Sequence, residues 1–108
     1  MAINRGEVWW VDFDPSTGSE IKKIRPAVIV SVNSANHALR RVQVVPLTTN
    51  VTRVYPGECL VLVQDTQSKA MTDQIRTIDT ERCGERLSIV SADDMSNLED
   101  ALRVQLGL

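Results

Sequence analysis

The sequence predicts a mainly β fold with some α: a small, strongly bent antiparallel sheet or barrel, a short helix, and a C-terminal amphipathic helix. Three observations carry this. Short runs of β-branched and aromatic residues recur from the N-terminus onward, clusters of Pro, Gly, Ser and Asn separate them, and only the C-terminal segment repeats apolar residues at helical spacing. At 108 residues the chain is expected to be one domain, 1–108, with a single modest core.

Glu7 to Phe13, rich in β-formers and without a 3.6-residue period, reads as the first strand. Trp9 and Trp10 are adjacent in it and so point to opposite faces. At most one is free to stack on a ligand, and both are expected to be structural. Asp14-Pro15-Ser16-Thr17-Gly18 breaks the strand with turn chemistry. Pro26 to Val32, apolar on both faces, is a central strand. Asn33 to His37 reads as a connector, with His37 a solvated loop side chain. Arg41 to Leu47 is the third strand and Thr48-Thr49-Asn50 the polar loop at its end. Pro56-Gly57 marks a turn before a fourth strand, Glu58 to Val63. Ser68 to Asp73 has no clear signature, whereas Gln74 to Ile78 is extended. Thr80 caps a short helical turn running through Cys83, Gly84 ends it, and Leu87 to Val90 is the last strand. Ser91 then starts the helix. Asp93 and Asp94 lie in its first turn, Met95, Leu98, Leu102 and Leu106 form a stripe expected to pack on the core, and Gly107 stops it.

No apolar run is long enough to span a membrane and the N-terminus lacks a signal-peptide pattern, so a soluble cytoplasmic protein is expected. Cys59 and Cys83 are expected to be reduced thiols packed as small hydrophobes. The net charge of -2 argues against a general nucleic-acid coat protein. It hides an asymmetry, however: residues 1–57 carry seven Lys/Arg against four Asp/Glu, and residues 58–108 five against ten. A local basic patch in the first half is compatible with a phosphate backbone.

That patch centres on Gly18 to Val32, where a polar loop with Glu20, Lys22, Lys23 and Arg25 runs through Pro26 into the apolar second strand. Pro26 fixes its own φ and biases Arg25 towards extended geometry, setting the arginine at the strand's lip. A single histidine excludes two-imidazole catalysis within one chain and a histidine-rich metal cluster. No phosphate-binding Gly-rich loop and no Gly-x-Ser-x-Gly motif occurs. Asp93, Asp94, Glu99 and Asp100 read as a solvated helix face. Arginines, hydroxyls and amides near strand ends remain: Arg25, Thr48, Thr49, Gln74 and Arg76, with Ser19 and Glu20 in the loop. An arginine fork suits phosphate, so the expected ligand is a phosphodiester.

Arg5-Gly6-Glu7-Val8-Trp9, Gly18-Ser19-Glu20, Ile24 to Val30 (Ile-Arg-Pro-Ala-Val-Ile-Val), Val45 to Thr49 (Val-Pro-Leu-Thr-Thr) and Asp73 to Asp79 (Asp-Gln-Ile-Arg-Thr-Ile-Asp) occur in this order. Together they resemble the MazF/PemK (Kid) toxins of type II toxin-antitoxin pairs, over nearly the whole chain. The resemblance implies an SH3-like/CcdB-like barrel, a homodimer, and a cofactor-free, metal-independent, sequence-specific endoribonuclease for single-stranded RNA. It implies neutralisation by a cognate MazE-like antitoxin, which would lay an acidic tail into the RNA groove. Arg25 and Thr48 match the catalytic arginine and threonine. Ser19, Glu20 and Gln74 match groove positions, and Lys22, Lys23, Thr49 and Arg76 are expected to join them in binding RNA. Where relatives often carry Gly-Gly before the Arg-Pro step, this chain has Lys22-Lys23-Ile24, a difference that bears on loop mobility and on the RNA sequence recognised.

The chemistry this implies uses the substrate's 2′-hydroxyl as nucleophile and leaves a 2′,3′-cyclic phosphate and a 5′-hydroxyl. Arg25 would stabilise the charge of the transition state and Thr48 would bond a phosphoryl or leaving oxygen. The general base stays open, with Glu20 a candidate. The alternative is a non-catalytic CcdB-like gyrase poison or a small-barrel binding module.

Overall fold

The structure, a computed structural model, describes residues 2–108. Seven strands form one curled antiparallel sheet: β1 (Glu7–Asp12), β2 (Ile24–Ile29), β3 (Arg41–Thr48), β4 (Cys59–Val63), β5 (Thr66–Ala70), β6 (Arg76–Asp79) and β7 (Cys83–Ile89). Their order is β4-β5-β3-β2-β1-β7, with β6 also on β3. The edge of β3 away from β2 is divided: Arg41 to Val44 pair with β6, and Leu47 and Thr48 pair with β5. One strand thus feeds two diverging ladders, and the sheet bends around it.

Alternation along the central strands separates two cores. Trp9, Val11, Phe13, Ala27, Ile29, Val42, Val44 and Ile78 meet on one face of the sheet. Val8, Val28, Val45, Leu47, Val61 and Val63 meet on the other, covered by α2 (Ala92–Leu106) through its buried Leu98 and the partly buried Met95 and Leu102. The helix begins as its sequence indicates, with Ser91 Oγ accepting the Asp94 N–H at 3.1 Å. It ends at Gly107, whose φ of +70° favours glycine. Leu106, in the last turn, is exposed, so the apolar stripe reaches the core only as far as Leu102.

Three further segments differ from expectation. Asn33–Ala38 is a short helix, α1, in place of a connector. Its buried Asn36 donates from Nδ2 to Ser31 O at 2.9 Å, and Asn33 Oδ1 accepts Arg5 N–H at 2.7 Å. Tertiary bonds to polar side chains therefore supply what a hydrophobic period would otherwise signal. His37 is exposed as expected, but on that helix, with Nε2 2.7 Å from Asn4 Oδ1. A fifth strand, β5, runs through Ser68, entered by a two-residue turn with Gln64 and Asp65 at φ of +48° and +64°; positive φ at both positions is hairpin geometry without the Asn-Gly that advertises it. The turn at Thr80–Arg82 is present, but Asp79 caps it, its carboxylate accepting Glu81 N–H at 2.8 Å, and Gly84 lies inside β7, which starts at Cys83.

Trp9 is buried, its indole N–H donating to Glu7 at 3.1 Å, while Trp10 on the opposite face is 38% exposed. Glu7 itself is buried. Burial pushes its carboxyl up, but bonds from Asn4 N–H, the Trp9 indole and Arg86 outweigh that and hold it below its ordinary value. Both cysteines are free thiols, Cys83 buried and Cys59 half-buried. No described helix is long and apolar enough to cross a membrane.

Candidate active site

β2 and β3 pair as Ala27↔Pro46, Val28↔Val45 and Ile29↔Val44. That register, continued two residues, sets Arg25 across from Thr48, on the face carrying Ala27, Ile29 and Val44. The two side chains line one cleft of about 200 Å³ with Lys23, Ile24, Pro26, Leu47, Thr49 and Ser68. Arg25 is half-buried and donates from Nε to Lys22 O at 3.0 Å, which leaves the two terminal nitrogens of the fork for a ligand. Thr48 Oγ1 accepts Asn50 N–H at 3.2 Å, so its own hydrogen is free to be donated.

On the far side of Thr48, β5 places Lys69 opposite it. This cation is already matched, its Nζ 3.5 Å from the Glu58 carboxylate and 3.1 Å from Arg53 O. By contrast, among the described residues none of Lys22, Lys23 and Arg25 joins an ion pair. Their side-chain charges are therefore left for an anionic ligand at the cleft.

A second cleft, about 350 Å³, is lined by Glu20 and Ile21 of the β1–β2 loop and by Asp73, Gln74, Ile75 and Arg76. Glu20 accepts Thr17 N–H at 2.7 Å, closing the loop tip, and Gln74 Oε1 accepts Ile21 N–H at 3.2 Å, tying that tip to the turn at Thr72–Gln74. Arg76 lies with its guanidinium 5.7 Å from the Phe13 ring centroid and Nη1 3.4 Å from Phe13 O. The residues proposed from sequence thus divide. Arg25, Thr48, Thr49 and Lys23 share the first cleft, Glu20, Gln74 and Arg76 the second, and Ser19 and Lys22 stand exposed on the β1–β2 loop and line neither. Ser68, Ile21 and Asp73 were missed; Ser68 comes with β5, a strand of weak apolar content, and Asp73 sits next to Gln74. Among the described residues no three His, Cys, Asp or Glu side chains are grouped to hold a metal.

Residues 4–106 match the family described as the PemK-like, MazF-like toxin of type II toxin-antitoxin systems. The chain belongs to this family. It is 41% identical, over 98% of each chain, to endoribonuclease MazF9 of Mycobacterium tuberculosis. Among solved structures it resembles an endoribonuclease in complex with its cognate antitoxin from a mycobacterial species, with 29% identity, TM-score 0.84, and 99% and 97% of the two chains covered. It also resembles MazF from Deinococcus radiodurans, with 25% identity, TM-score 0.88, and 100% and 99% covered. The likeness to MazF over the whole chain bears out the curled antiparallel sheet closed by a C-terminal helix.

Proposed function

We propose that residues 1–108 form one toxin domain, an endoribonuclease that cuts single-stranded RNA such as mRNA and so inhibits translation, acting in the cytoplasm as a homodimer and neutralised by a cognate antitoxin. The observation that carries this is the Arg25–Thr48 pair, set on facing strand ends in one cleft beside unpaired cations. Family membership and the named activity of the relative at 41% identity support it.

In this reading Arg25 holds the scissile phosphate through its free fork and meets the charge that develops as the 2′-hydroxyl attacks. Thr48 donates to a phosphoryl or leaving oxygen. Thr49 and Lys23 border the same phosphate. Ser19, Glu20, Lys22, Gln74 and Arg76 hold neighbouring nucleotides along the loop and the second cleft. Glu20 is assigned to positioning and not to proton removal, since it lines the other cleft. An antitoxin's acidic segment would compete for the same unpaired cations.

The test is to incubate the protein and its Arg25→Ala variant with a long single-stranded RNA in EDTA and map the new 5′ ends. Cutting at one short motif by the parent alone is expected. A folded parent that leaves RNA intact overturns the reading in favour of a binding protein.

A further inference from the structure

The hydrogen bonds at the root of the β1–β2 loop form one connected path that ends on Arg25. Arg82, from the turn before β7, donates through Nη1 to the carbonyls of Asp12, at 3.0 Å, and Asp14. The Asp14 carboxylate in turn accepts Lys23 N–H at 3.0 Å, while Phe13 N–H donates to Lys23 O at 2.9 Å. Lys23 is held at a φ of +68°, a conformation that non-glycine residues rarely adopt. The decisive feature is that Lys23 N–H and Lys22 C=O belong to one planar peptide unit. Asp14 grips one edge of that plane, and the other edge accepts Arg25 Nε at 3.0 Å.

Resting on the ribonuclease reading, we propose that Asp14 and Arg82 are positioning residues for Arg25, acting through the Lys22–Lys23 peptide. Arg82 fixes the backbone of Asp14, Asp14 fixes the plane of the peptide, and the peptide fixes the rotation of the guanidinium, so the fork faces the phosphate before RNA arrives. Neither residue lines the cleft with Arg25 and Thr48, and neither needs to touch RNA. Without them the guanidinium samples other rotamers and catalytic alignment suffers, since small misplacements of a reacting group lower rates by up to about a hundredfold.

The experiment compares Asp14→Ala, Asp14→Asn, Arg82→Met and Arg82→Lys in the full chain. It measures single-turnover cleavage at saturating RNA, RNA affinity, and amide exchange at Lys23. Asp14→Ala is expected to slow cleavage by about ten- to a hundredfold, leave affinity within roughly twofold, and speed Lys23 exchange. Asp14→Asn, which keeps an acceptor oxygen, restores most of the rate. Arg82→Met acts in the same direction and Arg82→Lys, which keeps a donor, recovers part of it. In an Arg25→Lys background Asp14→Ala brings no further loss, because the group it positions is gone. Unchanged cleavage by both Asp14→Ala and Arg82→Met, or losses that simply add to that of Arg25→Lys, overturns the proposal. Asp14 is exposed, so its replacement leaves both cores intact even where an Arg82 variant fails to fold. A parent that does not cut RNA counts against the ribonuclease reading alone; unchanged Lys23 exchange in Asp14→Ala then sinks the positioning path by itself.

Discussion

β1 has a charge at each end, and the two are treated in opposite ways. At its start, Glu7 is buried with Asn4 N–H at 2.7 Å, the Trp9 indole at 3.1 Å and Arg86 at 3.2 Å on its carboxylate. Beyond its far end, Lys22 and Lys23 of the β1–β2 loop and Arg25 at the start of β2 have no ionic partner among the described residues. A buried charge with its bonds complete contributes to the folded state and leaves nothing over for a ligand. Cations held near one another and left unmatched contribute nothing to folding that a neutral loop would not, and are available to an anion.

Exchanging the two roles gives the largest effects. Arg25→Ala is expected to lower RNA cleavage by about a hundred- to a thousandfold while leaving the urea midpoint where it is. Glu7→Leu is expected to do the reverse. It strands the Asn4 N–H and the Trp9 indole N–H, while the exposed Arg86 turns to water, and lowers stability by about 1–3 kcal/mol, with activity per folded molecule retained. Urea titrations and cleavage assays on both variants decide it, and a stability loss at Arg25 equal to that at Glu7 would erase the contrast.

The Glu7 end also has a pH signature. A carboxyl held below its ordinary value of 4.5 contributes stability that is fully present above that pH and is lost as pH falls through the lower folded value. Urea midpoints of the parent should therefore fall as pH drops below about 4.5, and more steeply than those of Glu7→Gln. Parallel profiles would remove Glu7 as a source of acid sensitivity.

At the loop end, removing one exposed cation should be visible mainly in salt dependence. Lys22→Ala is expected to make the slope of log affinity for single-stranded RNA against log salt shallower by about 0.7, without moving the cleavage site. An unchanged slope would place Lys22 outside the RNA path. The smallest effect concerns the thiols. Burial, with Asp94 nearby at Cys59 and Asp79 at Cys83, pushes both up to about 11. Alkylation of the native protein at neutral pH should therefore be slow and should rise only on unfolding.

The central strands and α2 were legible because each writes its burial into a simple period. Val28, Val45 and Leu98 lie in the second core as their spacing requires. α1 and β5 were not, because what holds them is written elsewhere: Arg5 and Ser31 bond the polar side chains of α1, and β5 pairs with Leu47 and Thr48 on one edge and with β4 on the other. In the site, Arg25 and Thr48 were readable from residue type and family resemblance. Their shared face depends on a register that no single segment encodes. The division of Glu20, Gln74 and Arg76 into a separate cleft, and the path from Arg82 through Asp14, arise from loop backbone bonds that composition does not reveal.

The most direct measurement pairs one short RNA that the protein cuts with the same RNA carrying a single 2′-deoxyribose on the 5′ side of the scissile phosphate. Attack by the 2′-hydroxyl within the Arg25–Thr48 cleft predicts that the deoxy substrate binds as tightly as the RNA and is not cut, while the RNA yields a 2′,3′-cyclic phosphate and a 5′-hydroxyl. Cleavage of both substrates at the same rate would contradict it.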